Sequence, residues 1–430
     1  MTSNANCSRL RASVIEETTM NNFGISRTGQ TVLFGWGQRH ALPRLIKPFG
    51  NRAFICTDNR FPQDSLLCAL ATGMRSEGIA VEVYDATVAE LPLECILDAA
   101  SQARAFGPAV VVGIGGGSCM DLAKLVALAL SHSGEMSAFY GEFKVPAPVL
   151  PVIAIPTTAG TGSEVTPVAV LADPARDMKV GISSPYLIPQ VAVCDPELTM
   201  SCPPRLTAIA GADAMTHAIE SFTAVRREPT AELGLNQVFV GKNVFADAHA
   251  LLAINALASN LATAVKSPDD RSAREQVMLG ALAAGIAFGT AGTAAAHAIQ
   301  YPVGAVTHTA HGLGVATLMP YVMEFNLPAC LPEYSEIAHI FGVAQTGHSN
   351  EQQARRGIDA VQALFNQIGV PESLAALGLA EDKLEWVGEQ SMLAARLVNN
   401  NPRQLSRESI NKIVQACFVG KRDQLRGIQQ

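Results

Sequence analysis

Residues 110–124 read Val-Val-Val-Gly-Ile-Gly-Gly-Gly-Ser-Cys-Met-Asp-Leu-Ala-Lys, an apolar run that passes straight into a glycine cluster and then into helix-forming residues. Such a run suits a strand buried on both faces. Gly115, Gly116 and Gly117 lack a Cβ, so backbone N–H groups there can approach a diphosphate, and a helix opening near Met120 would add its positive end. The segment is a candidate phosphate cradle. It is not a full Gly-x-Gly-x-x-Gly fingerprint, because Ser118 occupies the last glycine position. Ser118 and Asp121 also have the spacing of a helix-capping pair, a purely structural use of both.

Working outward, strand-like apolar runs at 53–57, 80–84, 109–113, 152–155 and 191–194 alternate with helical stretches. That alternation predicts a mostly parallel, helix-covered sheet. After Pro203 and Pro204 the strand signals fade, and Ala- and Leu-rich helices fill the remainder, including 248–265 and 271–296. The expected architecture is an α/β dinucleotide-binding domain over 23–204 and an all-helical domain over 205–430. Residues 1–22 read as a tail, with neither the apolar core of a signal peptide nor the acid-poor character of a transit peptide. Residues 276–296 carry no charge and approach membrane-spanning length. Their Ala and Gly content favours a buried helix instead.

The helical half supplies the chemistry. Asp213 and His217, in Gly-Ala-Asp-Ala-Met-Thr-His-Ala-Ile-Glu, are four residues apart, so on a helix they share a face with Cβ atoms about 5–6 Å apart. His297 and His311 follow about eighty residues or more later in the chain. One carboxylate and three imidazoles form a borderline ligand set suited to Fe(II), Zn, Co or Ni, whereas Mg and Ca prefer oxygen shells. Taken alone, an Asp/His pair at this spacing is more often a surface pair than a ligand pair.

Together these segments resemble the iron-containing (group III) alcohol dehydrogenase family. The matching runs are Gly-Gly-Gly-Ser-x-x-Asp-x-x-Lys at 115–124, Pro-Thr-Thr-Ala-Gly-Thr-Gly-Ser-Glu-Val-Thr at 156–166, Asp-Pro-Glu-Leu-Thr at 195–199, the 211–220 run quoted above, and His-Gly-Leu-Gly at 311–314. The resemblance implies a Rossmann-like domain followed by an all-helical one, the architecture shared with dehydroquinate synthase, with the active site in the cleft between them. It implies that Gly116, Gly117 and Ser118 hold the diphosphate of NAD(H), within a cofactor-binding segment that also contains Gly115 and Asp121. Thr157, Thr158 and Ser163 would line the nicotinamide half, and Lys179 would approach the ribose. Asp213, His217, His297 and His311 would bind Fe(II), with Zn or another divalent ion as the alternative. Asp58, at the end of a strand, would sit beside the adenosine ribose, where a carboxylate accepts from the hydroxyls and repels a 2′-phosphate, favouring NAD over NADP. The implied reaction moves hydride between a primary alcohol and nicotinamide C4.

Two departures from the family pattern stand out. Many members carry a further histidine four residues after the third ligand, where this chain has Tyr301. Pro302 disfavours helix at the preceding residue, which predicts Tyr301 at a helix end beside the metal. A phenol is a poor base at neutral pH unless a cation lowers its pKa, so His308 is the alternative proton relay. The second departure is an insertion after Ser221 that runs to Asn243. With Tyr301, it is similar to the hydroxyacid–oxoacid transhydrogenase branch of the family, which keeps its nicotinamide bound. The insertion brings Arg226, Arg227 and Lys242 near Asp213 and His217 in sequence. Any of them pointing inward would pair with an anionic group on the substrate.

Composition sets outer bounds. The 430 residues are 48% hydrophobic and 16% charged, enough for large buried cores. A net charge of −7 without a basic run argues against nucleic acid as a partner, and the resemblance implies a small alcohol or aldehyde as the substrate. Nine cysteines without a Cys-x-x-Cys pair suit free thiols in a reducing, cytoplasmic setting. A homodimer or higher homo-oligomer is the expected assembly.

Overall fold

The computed structural model describes residues 23–176 and 179–427. The expected tail at 1–22 therefore lies outside the described residues. The strands are β1 (Thr31–Phe34), β2 (Arg52–Cys56), β3 (Ala80–Tyr84), β4 (Val110–Gly115), β5 (Gly141–Glu142), β6 (Val152–Pro156), β7 (Val168–Leu171), β8 (Val180–Ser183) and β9 (Val191–Cys194). Six of them form one sheet in the order β1-β9-β6-β4-β2-β3, every pairing parallel. The helices of this half are α1 (Leu42–Ile46), α2 (Ser65–Ser76), α3 (Leu93–Phe106) and α4 (Gly117–Ser131).

Side-chain alternation along the strands builds two cores. Ala53 and Ile55 of β2, with Val110, Val112 and Ile114 of β4, pack with Leu42, Ile46, Leu70 and Met74 from α1 and α2. Phe54 and Cys56, with Val111, face the other way onto α3 and α4 through Ile96, Ala99, Leu122 and Val126. Burial on both faces explains why these strands read as unbroken apolar runs rather than alternating ones.

The strand order reverses between β2 and β4. In an open parallel sheet, ligands bind in the crevice beyond the strand ends at that reversal. The chain places Asp58 just beyond β2, and Gly115–Gly117 at the turn from the end of β4 into α4. A small second sheet, β5-β8-β7, in which β7 and β8 pair antiparallel, closes one side of the crevice. The sequence reading did not anticipate it.

From Pro204 onward the chain is helical: α5 (Pro204–Phe222), α6 (Leu233–Asn236), α7 (Val244–Lys266), α8 (Arg271–Ala291), α9 (Ala295–Thr307), α10 (His311–Asn326), α11 (Leu331–Ile340), α12 (Asn350–Gln367), α13 (Leu384–Ser391), α14 (Ala395–Val398) and α15 (Arg407–Val419). The single helix expected at 271–296 is two helices bent by 102°. The bend falls at Gly292, whose φ of +80° is costly for other residues. Among the described residues α7 is long and apolar enough to cross a membrane, as is the bent pair α8 and α9 taken together, yet Ala253, Ile254, Leu257 and Leu261 pack α7 into the helical core. All eight described cysteines are free thiols.

Candidate metal centre and cofactor cleft

α5 presents Asp213, His217 and Glu220 from a largely buried face. α10 approaches it closely enough that a Cβ on Gly312 would lie 2.9 Å from Cβ of Asp213, which brings the neighbouring His311 against α5. α9 adds His297. The Nε2 atoms of His217, His297 and His311 stand 3.7, 3.8 and 4.0 Å from Oδ1 of Asp213. Donors about 2.1 Å from one tetrahedral cation are about 3.4 Å apart, so the cluster is slightly wider than a closed first shell. Ligand atoms of Asp213, His297 and His311 lie within 4.8 Å of one another. His217 is held flat between the Phe288 ring at 4.3 Å and the His297 ring at 4.7 Å.

The donor set fits a divalent cation. Oδ1 of Asp213 and Nε2 of His297 are buried with no hydrogen-bond partner. Orphaned polar atoms of that kind are rare unless a ligand satisfies them. Burial, with the neighbouring His297, pushes His217 and His311 far down toward the neutral imidazole that coordinates metal. Burial pushes the Asp213 carboxyl up to about 7, a cost that a cation's charge reverses.

Glu220 supplies a support that the sequence reading quoted without assigning a role. Its carboxylate accepts from Ala294 N at 2.9 Å, Ala296 N at 2.7 Å and His297 Nδ1 at 2.6 Å. It thus caps the start of α9 and, with Nδ1 as the donor, leaves Nε2 of His297 free to ligate.

The cluster opens into a 260 Å³ cavity that is also lined by Gly117, Ser118, Asp121, Ser163, Lys179 and Tyr301. α4 begins at Gly117 rather than near Met120, and no side chain caps it. Ser118 and Asp121 are therefore not a capping pair. Asp121 accepts from Ser163 Oγ at 2.6 Å and Val170 N at 3.0 Å, and Lys124, wholly buried, donates to Ser163 Oγ at 2.9 Å. The stronger interaction won: Asp121 and Ser163 brace the loop at 156–166. That loop also rests on the helical half, where Gly162, at φ +62°, sits so close to Gly285 that a Cβ would fall 2.4 Å from its Cα. Thr157 and Thr158 flank the glycine cluster, Thr157 N donating to Gly115 O at 2.9 Å. Asp58 is forked to Arg60 at 2.8 and 2.6 Å, and its Oδ2 lies 3.8 Å from the Cys119 thiol beside Gly115. Lys179 is ion-paired with Glu90 at the cavity wall.

Tyr301 is not at a helix end, because α9 runs through Pro302 to Thr307. Burial of Pro302 and its neighbours in the helical core holds the helix across the proline. The Tyr301 ring is 6.3 Å from that of His311. A 490 Å³ cavity joins Tyr301 and His311 to His308, which is exposed at the end of α9. Of the insertion's cations, none lines the metal cavity. Lys242 is buried against Phe222 O, with Asp247 at 2.7 Å, Arg226 reaches Glu333, and Arg227 reaches Asn399 O and Asn400. The insertion contributes Phe239 to the cavity instead.

Residues 29–196 match the iron-containing alcohol dehydrogenase family, and residues 207–418 match the C-terminal part of the Fe-containing alcohol dehydrogenase family. Long-chain-alcohol dehydrogenase 1 of Geobacillus thermodenitrificans (strain NG80-2) is 34% identical over 391 residues, spanning 90% of this chain and 94% of the relative. This chain belongs to the iron-containing alcohol dehydrogenase family. It is an oxidoreductase of the alcohol dehydrogenase type. The crystal structure of a 1,3-propanediol oxidoreductase superposes on this family member with a TM-score of 0.86 at 29% identity, covering 92% of this chain and all of the other. The sulfoacetaldehyde reductase of Bifidobacterium kashiwanohense, in complex with NAD+, gives a TM-score of 0.78 at 26% identity, covering 92% and 98%.

Proposed function

We propose that this alcohol dehydrogenase is Fe(II)-dependent and NAD-linked, interconverting a small primary alcohol and its aldehyde in the cytoplasm as a homo-oligomer. The observation that carries the reading is the convergence of three imidazole Nε2 atoms within 4.0 Å of Asp213 Oδ1, in a cavity shared with Ser118 and Ser163. Asp213, His217, His297 and His311 would hold the metal. When bound, the cation supplies Lewis acidity to the alcohol or carbonyl oxygen, and the nicotinamide accepts or returns hydride. The backbone at Gly116–Ser118 and the start of α4 bind the diphosphate, and Asp58 orients the ribose. Phe288, Val168 and Val170 line the cavity with apolar surface that displaces water. Tyr301 Oη passes a proton between substrate and the 490 Å³ cavity, where His308 meets solvent.

A second reading, a transhydrogenase that retains its nicotinamide, draws support from the insertion. Val238 N donates to Glu142 Oε2 at 2.7 Å, tying the insertion to the α/β half. Arg27 ties it again through Val238 O, Gly234 O and Gln237 O. A cleft strapped in this way would release cofactor slowly. Anaerobic, Fe(II)-loaded protein mixed with NAD and primary alcohols separates the two readings. Sustained NADH accumulation is the dehydrogenase result. A burst of one equivalent per chain, with turnover only after an aldehyde or oxoacid is added, is the transhydrogenase result. No nicotinamide reduction with any alcohol would sink both.

A further inference from the structure

Among the described residues, three cationic side chains reach the cleft beyond the histidine cluster. Two are committed: Lys179 to Glu90, and Arg176 to the Tyr140 ring and Asp173. The third, Arg396 on α14, lines the same 260 Å³ cavity as Asp213, His297 and Tyr301 and also borders the wider 890 Å³ cleft beside it. Its Nη1 is buried with no hydrogen-bond partner. Its nearest acid, Oε1 of Glu142, is 4.0 Å from Nε, while Oε2 of that carboxylate is occupied by Val238 N. The guanidinium lies 4.3 Å over the Phe239 ring, which fixes its plane.

A structural arginine in this protein looks different. Arg274, buried in the helical half whereas the Arg396 side chain is about a third exposed, donates to Pro268 O, Thr207 Oγ1 and Cys202 O. Arg227 has an unpartnered Nε but lines none of the three cavities of the cleft. A buried donor left unsatisfied is costly, and the planar guanidinium fork matches an oxyanion through paired N–H bonds.

We propose that Arg396 is the specificity-determining residue of this dehydrogenase and selects short alcohols and aldehydes that end in an oxyanion, a carboxylate, sulfonate or phosphonate. The inference rests on the dehydrogenase reading and names its substrate class. The cavity at the metal cluster is smaller than the ~300–1,000 Å³ of pockets for drug-sized ligands, so the reacting end and the anionic end are close together. Phe239, from the insertion, sets the angle of the fork.

The test compares 2-hydroxyethanesulfonate, 3-hydroxypropanoate and 2-hydroxyethylphosphonate with propan-1-ol in Fe(II)-loaded, NAD-supplied protein, and measures binding of 2-hydroxyethanesulfonate directly by calorimetry. The wild type should prefer an anionic alcohol, and the ranking among the three identifies the oxyanion. Arg396→Gln should lower the anionic-to-neutral ratio of kcat/KM by about 10–100-fold, mainly through KM, with Arg396→Lys between the two. Calorimetric binding should weaken in parallel. Equal loss for propan-1-ol and the anions, or a rise in KM for NAD in place of the alcohol, would overturn the assignment. If the wild type reduces no NAD with any alcohol, the dehydrogenase reading fails instead. Calorimetry then still decides whether Arg396 binds the anion.

Discussion

The carboxylate of Glu220 lies 2.6 Å from Nδ1 of His297, on the ring nitrogen that faces away from Asp213. It fixes the imidazole's tautomer and raises its basicity, as outer carboxylates do at metal centres. Glu220→Gln keeps the side-chain shape but loses the charge. Metal affinity should fall by about 10–100-fold, measured by chelator competition, while the helical content of the protein is retained. Unchanged affinity would mean that Glu220 serves only to cap α9.

Gly116 separates cofactor binding from folding. Its φ of −76° suits any residue, and an added Cβ would meet nothing closer than Thr158 Oγ1 at 3.6 Å. Gly116→Ala should leave stability within about 0.5 kcal/mol of wild type in denaturant titration. The methyl group would nevertheless stand where the diphosphate approaches the backbone, and KM for NAD should rise about tenfold or more. A normal KM for NAD would move the diphosphate elsewhere.

Burial holds the Tyr301 phenol above its ordinary pKa, with the opposing charge of Arg396 too weak to reverse the effect. As proton relay it therefore depends on the cation to become acidic. Tyr301→Phe should retain metal, lower kcat by roughly 10–100-fold and remove an ionisation from the pH–rate profile. An unchanged profile would leave His308 as the relay.

Glu164 is 4% exposed, and burial pushes its carboxyl up to about 7. Its folded pKa lies above the ordinary carboxylate value, so the folded state binds the proton more tightly. Between about pH 4.5 and 7 the unfolded chain is ionised while the folded one resists, and stability falls as pH rises. Glu164→Gln should flatten that slope, which is worth at most about 3 kcal/mol. Denaturant midpoints measured across the window provide the check, and parallel slopes for the two proteins would contradict it.

Much of this molecule is visible in its sequence because repeated physical patterns mark it. The strands at 52–56 and 110–115 announce themselves by apolar runs, since both faces are covered, and the Asp213/His217 pair by helical spacing. What stayed hidden depends on distant contacts. The bend at 292–294 looks like continuous Ala-rich helix until Glu220 takes the N–H groups of Ala294 and Ala296. The strands β7 and β8 are four residues each and only half of their residues are buried, so no long apolar run marks them. Proximity in sequence pointed to Arg226, Arg227 and Lys242 as the anion-binding candidates. Arg396 is brought to the cavity by tertiary folding alone, on a helix of four residues.

The most direct test of the account is metal-dependent NADH formation by one preparation stripped with chelator and then reloaded with Fe(II) under anaerobic conditions. The stripped protein should show no NAD reduction with a primary alcohol, reduction should return as metal reaches one ion per chain, and His297→Ala should neither take up the ion nor regain reduction. Equal reduction with and without metal, or reduction that survives loss of His297, would contradict it.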